Sequence, residues 1–329
     1  MASQNPVIVV LGSTGNQGRG VVQSLLHEPS PTTWHVRAVT RDTESPAAQG
    51  LLKAFQTPDK RLSLQAGDSY DIASLENAFS GAYGVFAVTS EYSGKTIANE
   101  EGMKHELHAG RNIVAAAKSC NVQHFVLSSL PNMKEVTSGR FEKIFHMDHK
   151  SIIEQWAKEE LSAVTCLIPG LFLTNLKRPQ YCRREDGVVR FCPPIPASKL
   201  VEWVDPEHDM GLFAARVFSL GITKTSGRNY FVGKKFRMQD LASKFTRLTG
   251  QPAIYNPITI DEWAELASRE IGPGFKNDIR QMMEWFAIAP EDKSCYGAFD
   301  PADDIAREEL GLEASSFEDW LKRSNWAGP

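Results

Sequence analysis

Val7-Ile8-Val9-Val10-Leu11-Gly12-Ser13-Thr14-Gly15-Asn16-Gln17-Gly18 decides the fold. A short apolar run rich in β-branched residues reads as a buried strand, and the glycines follow it at once. Across residues 19–26, Val21, Val22, Leu25 and Leu26 return at helical spacing. Strand, glycine turn and helix form the setting in which G-x-x-G-x-x-G signals dinucleotide binding. Gly12 lets the chain turn off the strand, Gly15 lets the backbone approach a pyrophosphate, and Gly18 lets the helix pack close to the strand. The helix then aims free N–H groups and its positive dipole end at the phosphates.

The alternation continues outward. Residues 34–40, 61–65, 84–90, 124–129 and 163–168 read as further strands, and 46–55, 72–79, 105–120 and 147–158 as helices between them. This predicts an α/β fold, a Rossmann-type doubly wound parallel sheet covered on both faces. A dinucleotide-binding domain is expected over 1–170, with return strands from the later chain, and a smaller mixed cap or substrate region over 171–329. That region opens with Pro179, Pro193, Pro194 and Pro196, read as irregular. Beyond it, 210–219, 239–248, 262–269, 276–286 and 317–320 read as helices and 229–232 as a strand. Trp263, Phe275, Trp285 and Phe286 would line a pocket or fill a core, and core is favoured.

The second strand ends in Arg41-Asp42. In a doubly wound sheet this position meets the adenosine ribose, where a basic residue accommodates a 2′-phosphate and an acidic one a free hydroxyl. Arg41 comes first, with Arg37 on the same face of the strand, so the reading favours NADP(H) over NAD(H).

Composition excludes several classes. With 329 residues and a net charge of −4, the chain has no general footprint for nucleic acid. No stretch approaches the ~20 apolar residues of a membrane span. The opening Met-Ala-Ser-Gln-Asn-Pro runs straight into a core strand and does not read as a signal peptide. Cys120, Cys166, Cys182, Cys192 and Cys295 form no C-x-x-C pair, which points to a reducing compartment, no disulfide framework and no metal site. The expected setting is the cytoplasm, or cytoplasm and nucleus, for a monomer or homodimer.

These motifs resemble the NmrA-like family of atypical short-chain dehydrogenase/reductases. The glycine stretch, Val36-Arg37-Ala38-Val39-Thr40-Arg41, Gln65-Ala66-Gly67-Asp68 and Val88-Thr89-Ser90 carry the likeness. So do Leu127-Ser128-Ser129-Leu130-Pro131, Lys150, Pro169-Gly170-Leu171-Phe172-Leu173-Thr174-Asn175, Asp209-Met210-Gly211 and Phe317-Glu318-Asp319-Trp320-Leu321. The resemblance implies NADP(H) held by Gly12, Ser13, Thr14, Gly15, Asn16, Gln17 and Gly18, with Arg41 at the 2′-phosphate. It brings Asp68 and Ser69 to the adenine, Thr89 and Ser90 to the middle of the cofactor, and Lys150 to the nicotinamide ribose. Phe172 and Asn175 would border the nicotinamide.

Dehydrogenases of the wider superfamily use Tyr-x-x-x-Lys, whose tyrosine hydroxyl exchanges the proton. Four residues before Lys150 stands His146, and no tyrosine lies between Tyr92 and Tyr181. Lys150, His146 and Ser129 are the candidates for its work. One reading is an NADPH-dependent reductase of a small enone, imine or carbonyl; the other is a redox sensor in which NADP(H) binding alters a protein partner. The pocket-forming cap favours the reductase.

Overall fold

The computed structural model describes residues 5–90 and 94–329. Residues 1–4, read above as leading into the first strand, and Tyr92 lie outside the described residues. Thirteen strands occur among the described residues, β1 (Val7–Val10), β2 (His35–Thr40), β3 (Leu62–Ala66), β4 (Gly84–Ala87), β5 (His124–Ser128), β6 (Val164–Pro169), β7 (Leu171–Phe172), β8 (Cys182–Glu185), β9 (Val188–Phe191), β10 (Leu200–Val204), β11 (Asn229–Val232), β12 (Lys234–Arg237) and β13 (Ala253–Tyr255). The helices are α1 (Asn16–His27), α2 (Pro46–Phe55), α3 (Ile72–Phe79), α4 (His105–Ser119), α5 (Met133–Val136), α6 (Phe145–Glu160), α7 (His208–Leu220), α8 (Ile222–Thr225), α9 (Asp240–Thr249), α10 (Ile260–Ile271), α11 (Lys276–Ile288), α12 (Ala306–Leu310) and α13 (Phe317–Ser324).

Seven strands form one parallel sheet in the order β11-β6-β5-β4-β1-β2-β3. Its central strands read as continuous apolar runs because both faces are covered. Ile8, Val10, Val36 and Phe86 face α1 and α7, while Val9, Val85, Phe125 and Ile168 face α3, α4 and α6. Local chemistry sets the helix starts. Ser45 Oγ accepts from Ala48 N ahead of Pro46, and Asp71 Oδ1 accepts from Ala73 N and Ser74 N.

The strand order reverses between β1 and β4, and the crevice outside their carboxyl ends is where such sheets take ligands. Part of the later chain returns to this sheet: β11 pairs with β6, and α7 packs on α1.

The proline-rich stretch is more ordered than its composition suggests. It holds the β8–β9 hairpin, which β13 joins, and leads into β10, which pairs with β12 and β7. Each of these strands is five residues or shorter, too short for alternation to stand out. Over them lies a separate core with Trp203, Trp263, Phe275, Trp285, Phe286 and Trp320.

Candidate functional site

The glycine loop begins the site. Gly12 has φ +63°, a conformation that disfavours any side chain. A Cβ on Gly18 would stand 2.3 Å from the Gly12 carbonyl oxygen, so α1 can approach β1 only with glycine there. α1 follows Gly15 as its N-cap, with no side-chain cap and no acidic residue in its first turn, which leaves its first N–H groups directed to the crevice.

From this loop runs a cavity of about 700 Å³. Gly12, Thr14, Gly15, Asn16, Gln17, Gly18, Arg41, Asp68, Ser69, Thr89, Ser90, His146, Lys150, Phe172 and Asn175 all line it. Expected from distant parts of the sequence, they meet in one space. Ser13 and Ser129 do not line it. Both are fully buried, Ser13 Oγ donating to Val39 O at 2.8 Å and Ser129 Oγ to Lys150 O at 3.4 Å. Arg37 also departs from the reading: its guanidinium donates to Ala78 O at 2.6 Å and Ser80 O at 2.9 Å, tying β2 to the end of α3. Arg41 is exposed at the cavity rim and forms no salt bridge among the described residues.

At the rim beside Arg41, Tyr70 hydrogen-bonds His105 Nδ1 at 2.7 Å. Partial burial, and then the Glu106 and Asp68 carboxylates, push the Tyr70 phenol up to about 12. The Asp68 side chain accepts from Tyr70 N, and Asn112 donates to Ser69 O. Across the mouth, Asn16 Nδ2 donates to Thr174 Oγ1 at 3.5 Å, linking the glycine loop to the segment after β7.

Deeper in, Lys150 Nζ lies 2.5 Å from Glu106 Oε1 and donates to His146 O at 3.3 Å. Thr89 Oγ1 donates to the same Glu106 oxygen at 2.6 Å. Lys150 is nearly buried and Glu106 fully so. The other Glu106 oxygen, Oε2, is buried without a hydrogen-bond partner among the described residues. A buried carboxylate oxygen calls for a donor.

His146 occupies the second turn-forming position of α6, a helix without a side-chain cap of its own. Asp278, from α11, supplies one instead: Oδ2 accepts from His146 N at 2.8 Å, and Oδ1 lies 2.5 Å from His146 Nδ1. A carboxylate only accepts, so Nδ1 carries the proton. Two positions along, Asp148 accepts from Met133 N and Lys134 N, yet burial outweighs these bonds and raises it to about 6. Burial lowers His149 to about 4.

Glu106 and Asp278 carry no motif, but each left a signal. Glu106 stands on the stripe of Ala109, Gly110 and Ile113, and Asp278 on that of Phe275, Ile279 and Met282. A lone carboxylate on an apolar helix face needs a cationic or donor partner.

A family model for the NmrA-like family matches residues 4–321. The chain is 23% identical over 340 residues to the NmrA-like family domain-containing oxidoreductase malD of Malbranchea aurantiaca, covering 96% of each chain. A second NmrA-like family domain-containing oxidoreductase, from Aspergillus hancockii, is 34% identical over 271 residues, 78% of this chain and 77% of that one. Among solved structures, NmrA, a negative transcriptional regulator in complex with NADP, superposes with a TM-score of 0.72 at 18% identity, over 97% of this chain and 95% of that one.

Proposed function

The chain belongs to the NmrA-like family, and from that premise we propose that it is an NADP(H)-dependent oxidoreductase that reduces a small organic substrate such as an enone, imine or carbonyl. One observation carries the reading. A single cavity connects an uncapped α1 and the exposed Arg41 to the buried Lys150–Glu106 pair and on to an apolar pocket. That is the extent and polarity a dinucleotide needs, with room beyond it for a second molecule.

The residues present fit the cofactor. The first N–H groups of α1 meet the pyrophosphate, and Arg41 meets the 2′-phosphate as a charge-assisted pair. Asp68 and Ser69 border the adenine, and Thr89 and Ser90 the middle of the cofactor. Lys150, held by the buried Glu106, offers a donor to the nicotinamide ribose, with Phe172 and Asn175 bordering the ring. When bound, NADPH supplies the hydride; the protein supplies orientation and the exclusion of water.

The cavity wall also carries the apolar Leu130, Phe172, Phe275, Ile279 and Met282 beside the polar Arg178, Gln180, Tyr181 and Tyr296, a mixture that suits a largely apolar substrate with a polar group. The named oxidoreductases among the relatives support an enzyme. The likeness to a transcriptional regulator is at 18% identity and speaks for the fold alone. The test follows NADPH absorbance during turnover with a panel of enones, imines and carbonyls. Consumption with one class is expected; NADPH that binds and is never consumed would overturn the reading.

A further inference from the structure

The geometry points to His146 as the proton donor of the reduction and to Asp278 as the residue that positions it. We infer that the substrate is therefore a neutral, polarised double bond whose reduction takes up a proton. The inference rests on the oxidoreductase reading above.

Three observations carry it. His146 lines the cavity one helical turn before Lys150, and the two are joined by the Lys150 Nζ to His146 O contact. Its Nδ1 is engaged by a carboxylate with no solvent exposure, so when the ring is protonated the proton it can transfer sits on Nε2. Asp278 grips the backbone N–H and the ring of the same residue, which fixes the imidazole in orientation and tautomer. The hold on this segment is reinforced by Gln281 Oε1, also on α11, which accepts from Lys143 N at 2.8 Å. The helix that carries Asp278 also provides Ile279 and Met282 to the apolar wall, so the C-terminal region shapes the pocket and holds the donor.

Lys150 and Ser129 suit the role less. By giving up a proton Lys150 would break its ion pair with buried Glu106, and Ser129 does not reach the cavity.

The balance is simple. NADPH supplies a hydride, hence two electrons, to the electrophilic carbon. The π pair moves to the oxygen or nitrogen, which takes the proton from His146 Nε2. NADP and the reduced substrate leave, and neutral His146 recovers a proton from solvent. An iminium substrate, already cationic, needs no such proton.

Among the described residues, the charged and titratable groups near His146 include Asp278 from α11 and Asp148, His149 and Lys150 from α6. Of these, Asp278 bonds the imidazole directly. The experiment is histidine ¹⁵N NMR on the cofactor-free full chain, with His146 assigned by loss of its signal in His146→Gln. The wild type should show the Nδ1–H tautomer when neutral. In Asp278→Asn, which keeps an oxygen for His146 N, the ring should titrate about one pH unit or more lower, a tenfold loss of proton affinity. In turnover, the kcat decline toward high pH should move down by the same interval, while calorimetric NADPH affinity stays within about twofold. An Nε2–H tautomer in the wild type overturns the proposal even if Asp278→Asn does not fold. So does an unmoved titration, or His146→Gln with unchanged kcat. A wild type that binds no NADPH refutes the oxidoreductase reading instead, and leaves the tautomer and titration results standing.

Discussion

Glu106→Leu is the sharpest perturbation of the site. Glu106 is fully buried, and its Oε1 receives both Lys150 Nζ at 2.5 Å and Thr89 Oγ1 at 2.6 Å. Leucine fills a similar volume, so the change removes charge without opening a cavity. It takes the Glu106 carboxylate away from the Lys150 ammonium, which is only 7% exposed. Breaking a buried pair from one side costs about 3–5 kcal/mol. With an unfolding entropy of about 0.7 kcal/mol per kelvin for a chain of this length, Tm falls by about 4–7 °C. Removing both charges, as in Glu106→Leu with Lys150→Met, removes the pair whole and should recover most of that loss, less the acceptor that Thr89 Oγ1 gives up. The assay is a double-mutant cycle by urea unfolding and thermal scanning. A double variant as unstable as the sum of the two singles would refute the coupling.

Three further outcomes are expected. Arg41→Ala should weaken NADPH binding by about 10- to 100-fold and leave NADH nearly untouched, with the difference shrinking in high salt, as titrations at two ionic strengths would register. Gly18→Ala pushes a Cβ to within 2.3 Å of Gly12 O, and unfolding should show about 1–3 kcal/mol of lost stability together with weaker NADPH affinity. His124 is held near 4 by burial, below its ordinary 6.5. The unfolded chain therefore takes up a proton first as pH falls, and stability present above pH 6.5 is lost toward pH 4. His124→Gln should flatten that slope, read as the difference in urea midpoints between pH 7 and pH 5.

The Rossmann sheet was legible because its signals are local. β1 and its neighbours are buried on both faces and read as unbroken apolar runs, and the glycine spacing reports a backbone requirement seen directly at Gly12 and Gly18. Most of the cavity wall followed from those motifs. Ser13 was misleading because a position inside the loop does not say which way the side chain turns; it turns to Val39 O. Arg37 and Arg41 share a strand face in the pattern, yet Arg37 is taken by the end of α3, a tertiary contact that spacing does not encode. Glu106 and Asp278 were missed since each acts on a residue far along the chain, 44 and 132 positions away. The small sheets around β8–β10 hid behind prolines because short strands pair through contacts the sequence order does not reveal.

The central claim is that this cavity holds NADP(H), and calorimetric titration of the full chain with NADPH, beside NADH, tests it most directly. The account predicts saturable one-to-one binding of NADPH, at least tenfold tighter than NADH. Equal affinity for the two would contradict the role given to Arg41, and no binding of either would contradict the account from the glycine loop onward.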